Sequence, residues 1–316
     1  IGNSALPANT TGFSNTALGN NTLYSNTDGY KNTAVGEAAL YSNTGGYENT
    51  AMGHGCLSSN TTGLYNTAVG RYALNGSQSA SNNVAIGWKA AYVSVSNNNV
   101  CIGFQAALAL STGYSNTIIG SQAGEAITND NNNTALGFEA LKNSTADSTT
   151  ALGGRALKAN TSGAENCAVG NNALTANTTG SYNTACGINA LDANTTASKN
   201  TAVGYNASGS TTTGANNVAV GANALRDITD AVDCVSVGTD SMIEATGGSN
   251  TAVGNIAGYT VTTGAANVFL GNQAGRNQVT TSNDNLYIAN SSTAAGSANT
   301  WIYGNSSGAC YQGNNS

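Results

Sequence analysis

The chain has 316 residues, of which only 8% are charged, and its formal net charge is −6 with a pI near 4.5. Ordinary globular domains carry about 25% charged residues, yet no apolar run reaches the roughly 18 residues that a membrane-spanning helix needs, and disordered chains are usually rich in charge. No basic stripe is present, so we expect neither nucleic acid as a partner nor insertion into a membrane.

The chain opens inside a repeated phrase. Ile1 and Gly2 occupy the last two positions of a five-residue motif that appears in full as NTALG at residues 15–19 and as NTAVG at residues 32–36. There is no initiator Met, signal peptide or lipidation motif. We therefore expect that the sequence begins inside a longer gene product.

The motif returns at a nearly constant interval along most of the chain. We call the glycine that closes each copy the marker glycine. Of the 16 intervals between marker glycines, 13 are 17 residues long and three are 16. The marker glycines are Gly2, Gly19, Gly36, Gly53, Gly70, Gly87, Gly103, Gly120, Gly137, Gly153, Gly170, Gly187, Gly204, Gly221, Gly238, Gly254 and Gly271. A short period over this length indicates a repeat protein.

The motif predicts a β-strand. In an extended strand its second and fourth positions share one face, as Thr33 and Val35 do, and its third position lies on the other. Gly, Asn and Thr are poor helix formers, and 17 residues suit one coil with two short strands and two turns. We predict an all-β chain, a parallel β-solenoid (β-roll) of about 17 turns with a 17-residue repeat. Stacked like residues explain the scarcity of charge, because like charges in a column repel.

The third motif position is small in nearly every turn and becomes large only at Ile118 and Phe269. A position held that small usually faces a close neighbour, and a thin coil has little interior. We therefore expect these alanines to contact another copy of the chain, in a homo-oligomer packed side by side. The candidate interchain contact row is Ala34, Ala51, Ala68, Ala85, Ala135, Ala168, Ala185, Ala202 and Ala219.

The position that follows the marker glycine is usually polar but is large and apolar in five turns. Aromatic side chains on a polar surface can bind sugar rings, so a host-surface glycan or protein is a candidate partner. The alternative is that these residues cap an interface between chains or cover a loop. The candidate receptor-contact row is Trp88, Phe104, Phe138, Ile188 and Tyr205.

No residues form an obvious catalytic or metal-binding set. His54, the sole histidine, occupies a position that neighbouring turns fill with exposed polar residues, which favours a solvated surface residue over a catalytic one. The cysteines lack CxxC spacing, so we expect no zinc site and no intrachain disulfide. They are Cys56, Cys101, Cys167, Cys186, Cys234 and Cys310. We expect no cofactor.

The spacing is lost near the C-terminal end. Residues 276–316 keep an echo of the motif in NLYIAN and NTWIYGN without the regular interval. The sequence therefore predicts two segments, a solenoid repeat domain over 1–275 and a degenerate repeat or exit segment over 276–316.

The extended motif NTAVGxxAL, with the variants NVAIGWKAA and NVAVGANAL, resembles the head repeat of trimeric autotransporter adhesins. The resemblance implies left-handed parallel β-rolls, three chains side by side, that bind host surfaces. The period of 17 is longer than in those heads. The longer unit looks more like phage tail-fibre repeats, and residues 276–316 are similar to the segment that leads to the C-terminal intramolecular chaperone domain of such fibres.

These observations favour a structural fibre or adhesin shaft, a homotrimer of the phage tail-fibre type, that presents a receptor-binding surface. It would be extracellular, in a virion fibre or on a cell surface, and would carry no catalysis in this segment. The alternatives are a self-assembling extracellular filament, an ice-binding solenoid and a bacterial surface adhesin head. A glycan depolymerase is disfavoured because no pair of carboxylates recurs beside the aromatic residues.

Overall fold

A computed structural model describes residues 1–276 and 281–290 with their side chains, and the backbone of residues 300–304 and 310–312. The chain divides into two compact units, residues 1–161 and residues 162–316. The regular secondary structure of these described residues is entirely β. None of them belongs to a helix long and apolar enough to cross a membrane.

The first unit is a parallel β-solenoid with one strand in each turn. Its strands are three residues long and pair in register with the strands of adjacent turns, so that Thr33, Ala34 and Val35 lie beside Thr50, Ala51 and Met52. The strands are β1 (Thr16–Leu18), β2 (Thr33–Val35), β3 (Thr50–Met52), β4 (Thr67–Val69), β5 (Val84–Ile86), β6 (Val100–Ile102), β7 (Thr117–Ile119), β8 (Thr134–Leu136) and β9 (Thr150–Leu152).

The second unit continues the same pattern and ends differently. Strands β10 to β17 pair in parallel, whereas β17 with β18 and β18 with β19 are antiparallel. The strands are β10 (Cys167–Val169), β11 (Thr184–Cys186), β12 (Thr201–Val203), β13 (Val218–Val220), β14 (Val235–Val237), β15 (Thr251–Val253), β16 (Val268–Leu270), β17 (Leu286–Ala289), β18 (Thr300–Gly304) and β19 (Cys310–Gln312).

The two units confirm the predicted β-solenoid and its repeat. Strands β1 to β16 each precede one marker glycine, which makes about 16 turns rather than 17, because only Ile1 precedes Gly2. Strand β17 lies in the segment predicted to be a degenerate repeat. It pairs in register with β16, so that Leu286, Tyr287 and Ile288 lie beside Val268, Phe269 and Leu270.

The marker glycines are required by both conformation and space. Gly36 has a φ of +127°, which side-chain-bearing residues rarely adopt. A Cβ on Gly36 would lie 2.7 Å from the carbonyl carbon and oxygen of Gly53 in the next turn. The glycines of adjacent turns are thus stacked in direct contact, as the interval predicted.

The other half of each turn is not a second strand, so the prediction of two strands per turn is wrong. After Gly36 the backbone alternates into the left-handed region, with φ of 55° at Ala38 and 51° at Leu40. Extended strands need a negative φ at every residue. Even so, the amide of Ala38 donates to the oxygen of Asn20 in the preceding turn, and that of Leu40 to Cys56 in the following turn. The turns therefore remain hydrogen-bonded on both sides.

The interior of each coil is narrow and is filled by the third motif position. The alanines expected to contact another chain are all 0% exposed within a single chain. A side chain with no exposed surface offers none to a partner, so that expectation is wrong. The residues concerned are Ala34, Ala51, Ala68, Ala85, Ala135, Ala168, Ala185, Ala202 and Ala219. They are small because the opposite wall of the same coil, with its leucine and alanine side chains, is close.

The two turns with a large third position make room locally. In the first unit Ile118 accompanies Gly124, which stands where most turns have leucine, and a Cβ on Gly124 would lie 3.1 Å from Cγ2 of Ile118. In the second unit Phe269 accompanies Gly275, whose Cβ would lie 2.4 Å from Cδ1 of Phe269. The interior volume of a turn is therefore shared between these two positions.

Buried asparagines connect the turns of each unit. At the first motif position, the backbone amide of Asn49 donates to Oδ1 of Asn32 at 3.0 Å, and Nδ2 of Asn49 donates to the carbonyl of Gly63 at 2.8 Å. A second column runs seven residues after the marker glycine, where Nδ2 of Asn43 donates to Oδ1 of Asn26 at 2.7 Å. These bonds satisfy polar groups that burial would otherwise penalise.

Candidate functional site

The most uniform surface of each unit is the outward side of its strands. We define the outer strand face as the side chains at the second and fourth motif positions, the first and third residues of β1 to β16. Every one of these side chains is at least partly exposed. The second position holds Thr or Val, with Cys167 the single exception, and the fourth holds Val, Ile, Leu or Met, with Cys186 the single exception.

The narrow interior explains why the larger side chains of the motif point outward. Each strand buries its central residue and exposes the two that flank it, as in β3, where Ala51 is buried and Met52 is 45% exposed. Leu136 and Leu270 are 49% and 44% exposed in the same column position. The outer strand face is therefore a flat apolar and threonine-bearing surface without a single charged residue.

The candidate receptor-contact row is on the surface, but only part of it forms a cluster. Phe104 and Phe138 are each 49% exposed, Ile188 is 52% and Tyr205 is 55%, whereas Trp88 is half-buried. Trp88 and Phe104 stack with their ring centroids 5.0 Å apart.

The stacking of Trp88 limits what its ring can bind. Phe104 covers one ring, and Nζ of Lys89 lies 4.7 Å from the centroid of Trp88 in a cation–π contact. A sugar ring needs a free aromatic face, and each ring of this pair covers the other. The pair is better suited to stabilising two adjacent turns than to binding a glycan, although both edges remain accessible.

A second aromatic column, absent from the sequence-based prediction, lies six residues before the marker glycines. Tyr30 stacks on Phe13 at 4.9 Å and on Tyr47 at 4.5 Å, with the planes within 8° of parallel. Tyr65 meets Tyr47 edge-on at 5.6 Å. The recurrence of Gly-Phe or Gly-Tyr at 17-residue spacing (GFSN, GYKN, GYEN) was the available signal.

The first unit contains a compact group of charges. Glu139 is 7% exposed, and its carboxylate lies 3.0 Å from Nζ of Lys142 and 2.7 Å from Nζ of Lys158. Lys142 also lies 3.4 Å from Glu125, and Arg155 lies 3.4 Å from Glu139. Hydrogen bonds from Lys158 and Lys142 lower the pKa of Glu139 to about 2. A general acid needs a raised pKa, so this carboxylate is suited to structure rather than to proton transfer.

A polar groove in the second unit is lined by Asp192, Asn206, Gly209, Arg226 and Asp227. Arg226 donates to both carboxylate oxygens of Asp227, at 2.9 and 2.6 Å. Burial raises the pKa of Asp192. One acid is thus held ionised by arginine, and only Asp192 resembles a tuned carboxylate, which does not make the acid pair of a glycosidase.

The histidine and the cysteines occupy inert positions. Nδ1 of His54 lies 3.4 Å from a carboxylate oxygen of Glu37, and its Nε2 lies 3.2 Å from the hydroxyl of Tyr72. Burial raises the pKa of both Cys56 and Cys101 to about 12, so these thiols stay protonated. In the part of the chain with described side chains, no three His, Cys, Asp or Glu residues are placed to hold a metal ion.

The cysteines of the described residues are unpaired. They are Cys56, Cys101, Cys167, Cys186 and Cys234. The side chain of Cys310 lies outside the described residues.

Comparison with known proteins adds no relative. The sequence matches no protein-family model and no curated protein.

Proposed function

We propose that this chain is the shaft of an extracellular fibre, a homotrimer that projects and presents a receptor-binding surface, and that this segment performs no catalysis. The phage tail-fibre type is favoured over the adhesin head by the 17-residue period and by the echo of the motif after residue 275. The trimer and the extracellular location follow from the resemblance of NTAVGxxAL to such repeats.

The observation that carries the proposal is the uniformity of the turns. Within each unit, every strand pairs in register with the next, and each turn presents the same kinds of side chain in the same places. Repetition of this kind extends a structure along one axis and supplies rigidity through backbone and asparagine hydrogen bonds. An enzyme instead concentrates unlike residues in one cleft.

Negative-stain electron microscopy combined with sedimentation equilibrium tests the proposal. We expect short elongated particles with the mass of three chains. A monomer would overturn the trimeric shaft, and long fibres that grow with protein concentration would favour the self-assembling filament.

Ice binding is the second candidate, because the threonines of the outer strand face form a regular exposed column. Thr16, Thr33, Thr50 and Thr67 lie in consecutive turns, spaced by about 4.8 Å. Val84 and Val100 then replace threonine. A thermal hysteresis measurement on the purified chain distinguishes this candidate, since a fibre shaft has no effect on ice growth.

A further inference from the structure

We propose that the outer strand face is the surface through which copies of this chain associate. This inference rests on the proposed homo-oligomeric fibre and assigns its interface to β1 to β16 rather than to the buried alanine row. The partner is a second copy of the same chain.

The first argument is the chemistry of the face. A water-exposed column of Val, Ile, Leu and Met is costly to leave uncovered, and apolar patches on monomers rarely exceed about 300–600 Å². Side chains such as Met52, Leu136 and Val203 are 45%, 49% and 38% exposed. No charged residue occurs at either position of the face, so two copies of an acidic chain can meet there without repulsion.

The second argument is area. With strands about 4.8 Å apart and three residues spanning about 10 Å, the nine strands of the first unit give a flat footprint of about 400 Å². The seven strands β10 to β16 add about 300 Å². The total is close to the roughly 800 Å² that each partner contributes to a stable interface.

The third argument identifies the occupant. Each strand presents one β-branched residue, in all turns but that of Cys167, and one further apolar residue or Cys186, so the relief of the face repeats once per turn. Another copy of this chain necessarily has the same repeat, so a contact that forms at one turn recurs at every turn. A partner without that spacing would match the face at only a few turns.

Lysine substitution on the face tests the inference by sedimentation equilibrium of the full chain. Val203→Lys places a charge on the outer strand face at a side chain that already points to solvent, so the fold is preserved. We expect at least a tenfold rise in the dissociation constant of the oligomer. The matched control is Tyr205→Lys, two residues away and 55% exposed but outside the face, which should leave the dissociation constant within twofold of wild type.

Cross-linking through Cys186 is an independent readout that does not perturb the face. This thiol is exposed on the outer strand face, and a symmetry axis along the face brings the same residue of two copies together. A short bis-maleimide should therefore yield covalently linked chains. Cys186→Ser should lower the yield, and moving the thiol half a turn away, in the double variant C186S/A193C, should not restore it.

The outcomes separate this inference from the proposed function. If the wild type is an oligomer and neither Val203→Lys nor Cys186 cross-linking reports on the interface, the assignment of the face is wrong while the fibre proposal stands. If the wild type is a monomer, both fail. A monomer whose thermal hysteresis is lost in Val203→Lys would assign the face to ice instead and would overturn the inference.

Discussion

At the scale of single residues, the marker glycine shows most directly how the sequence encodes the coil. Its φ lies between +116° and +151° in the 17 marker positions. An added Cβ would contact the backbone of the next turn, which cannot move without shifting the whole coil. Two independent constraints thus act on one position, and this explains why the motif always ends in glycine.

We expect Gly36→Ala to destabilise the protein by about 1–3 kcal/mol or more, because it strains the backbone and clashes with Gly53. The measurement is urea unfolding followed by circular dichroism. Gly45→Ala is the matched control, because its φ is not positive and the nearest atom to an added Cβ is Oδ1 of Asp28 at 3.5 Å. Equal midpoints for the two variants would contradict the proposed role of the marker glycine.

The carboxylate of Glu139 makes stability depend on pH in acid. Its pKa is lowered from 4.5 to about 2, so its contribution is complete above about pH 4.5 and is lost as the pH falls towards 2. We expect the melting temperature of the wild type to fall over this range more steeply than that of Glu139→Gln, which has no charge to lose. Parallel curves for the two proteins would show that the ion group does not stabilise the fold.

At the scale of one turn, the third motif position and the leucine position share a fixed volume. The turn of Ala219 combines it with Leu225 and Ile228, all buried. The turn of Ile118 instead combines it with Gly124 and Ile127. Replacing Ile118 by Ala and Gly124 by Leu would therefore reproduce a combination that the chain already uses.

We expect Gly124→Leu alone to cost about 1–3 kcal/mol, because it overpacks the turn against Ile118. In the Ile118→Ala background the same change should cost less or even stabilise, giving a coupling energy of about 1 kcal/mol or more. Chemical denaturation of the four proteins of the cycle measures this. Additive effects would show that the two positions do not share volume.

The buried asparagine columns make adjacent turns depend on each other. Asn43→Ala removes the donor to Oδ1 of Asn26 and the acceptor of Nδ2 of Asn60, which lie in the two flanking turns. Each buried polar group left unpaired costs about 1–3 kcal/mol. We expect a loss of stability in that range or above in urea unfolding, whereas Asn20→Ala at an exposed position should be nearly neutral. A neutral Asn43→Ala would mean that water or a neighbouring group replaces the column.

At the scale of the whole molecule, the fold is held without covalent links among its described residues. Stability comes instead from contacts that recur in every turn, as in other repeat proteins. We expect the melting temperature to be the same with and without a reducing agent. Thiol titration of the unfolded, unreduced chain should find all six cysteines free, including Cys310. Two or fewer free thiols, or a lower melting temperature on reduction, would contradict this.

The sequence by itself determined the period, the parallel β-solenoid and the stacked glycines. All three are visible in the letters because identical side chains must recur wherever identical turns stack. It also indicated that the cysteines are unpaired, since Cys167 and Cys186 occupy different motif positions in adjacent turns. The compensating pair of Ile118 and Gly124 was present in the letters as well, but its meaning depends on knowing that both side chains enter the same interior.

Only the tertiary structure decided which side of the strand faces inward. Alternation in NTAVG separates two faces, but it does not say which one is enclosed, and a row of alanines is compatible with a narrow interior or a close partner. The second half of each turn settles the matter, because left-handed residues such as Ala38 and Leu40 bring that wall close to the strand. The interior then has room only for alanine, and the larger Val, Ile, Leu and Met side chains remain outside.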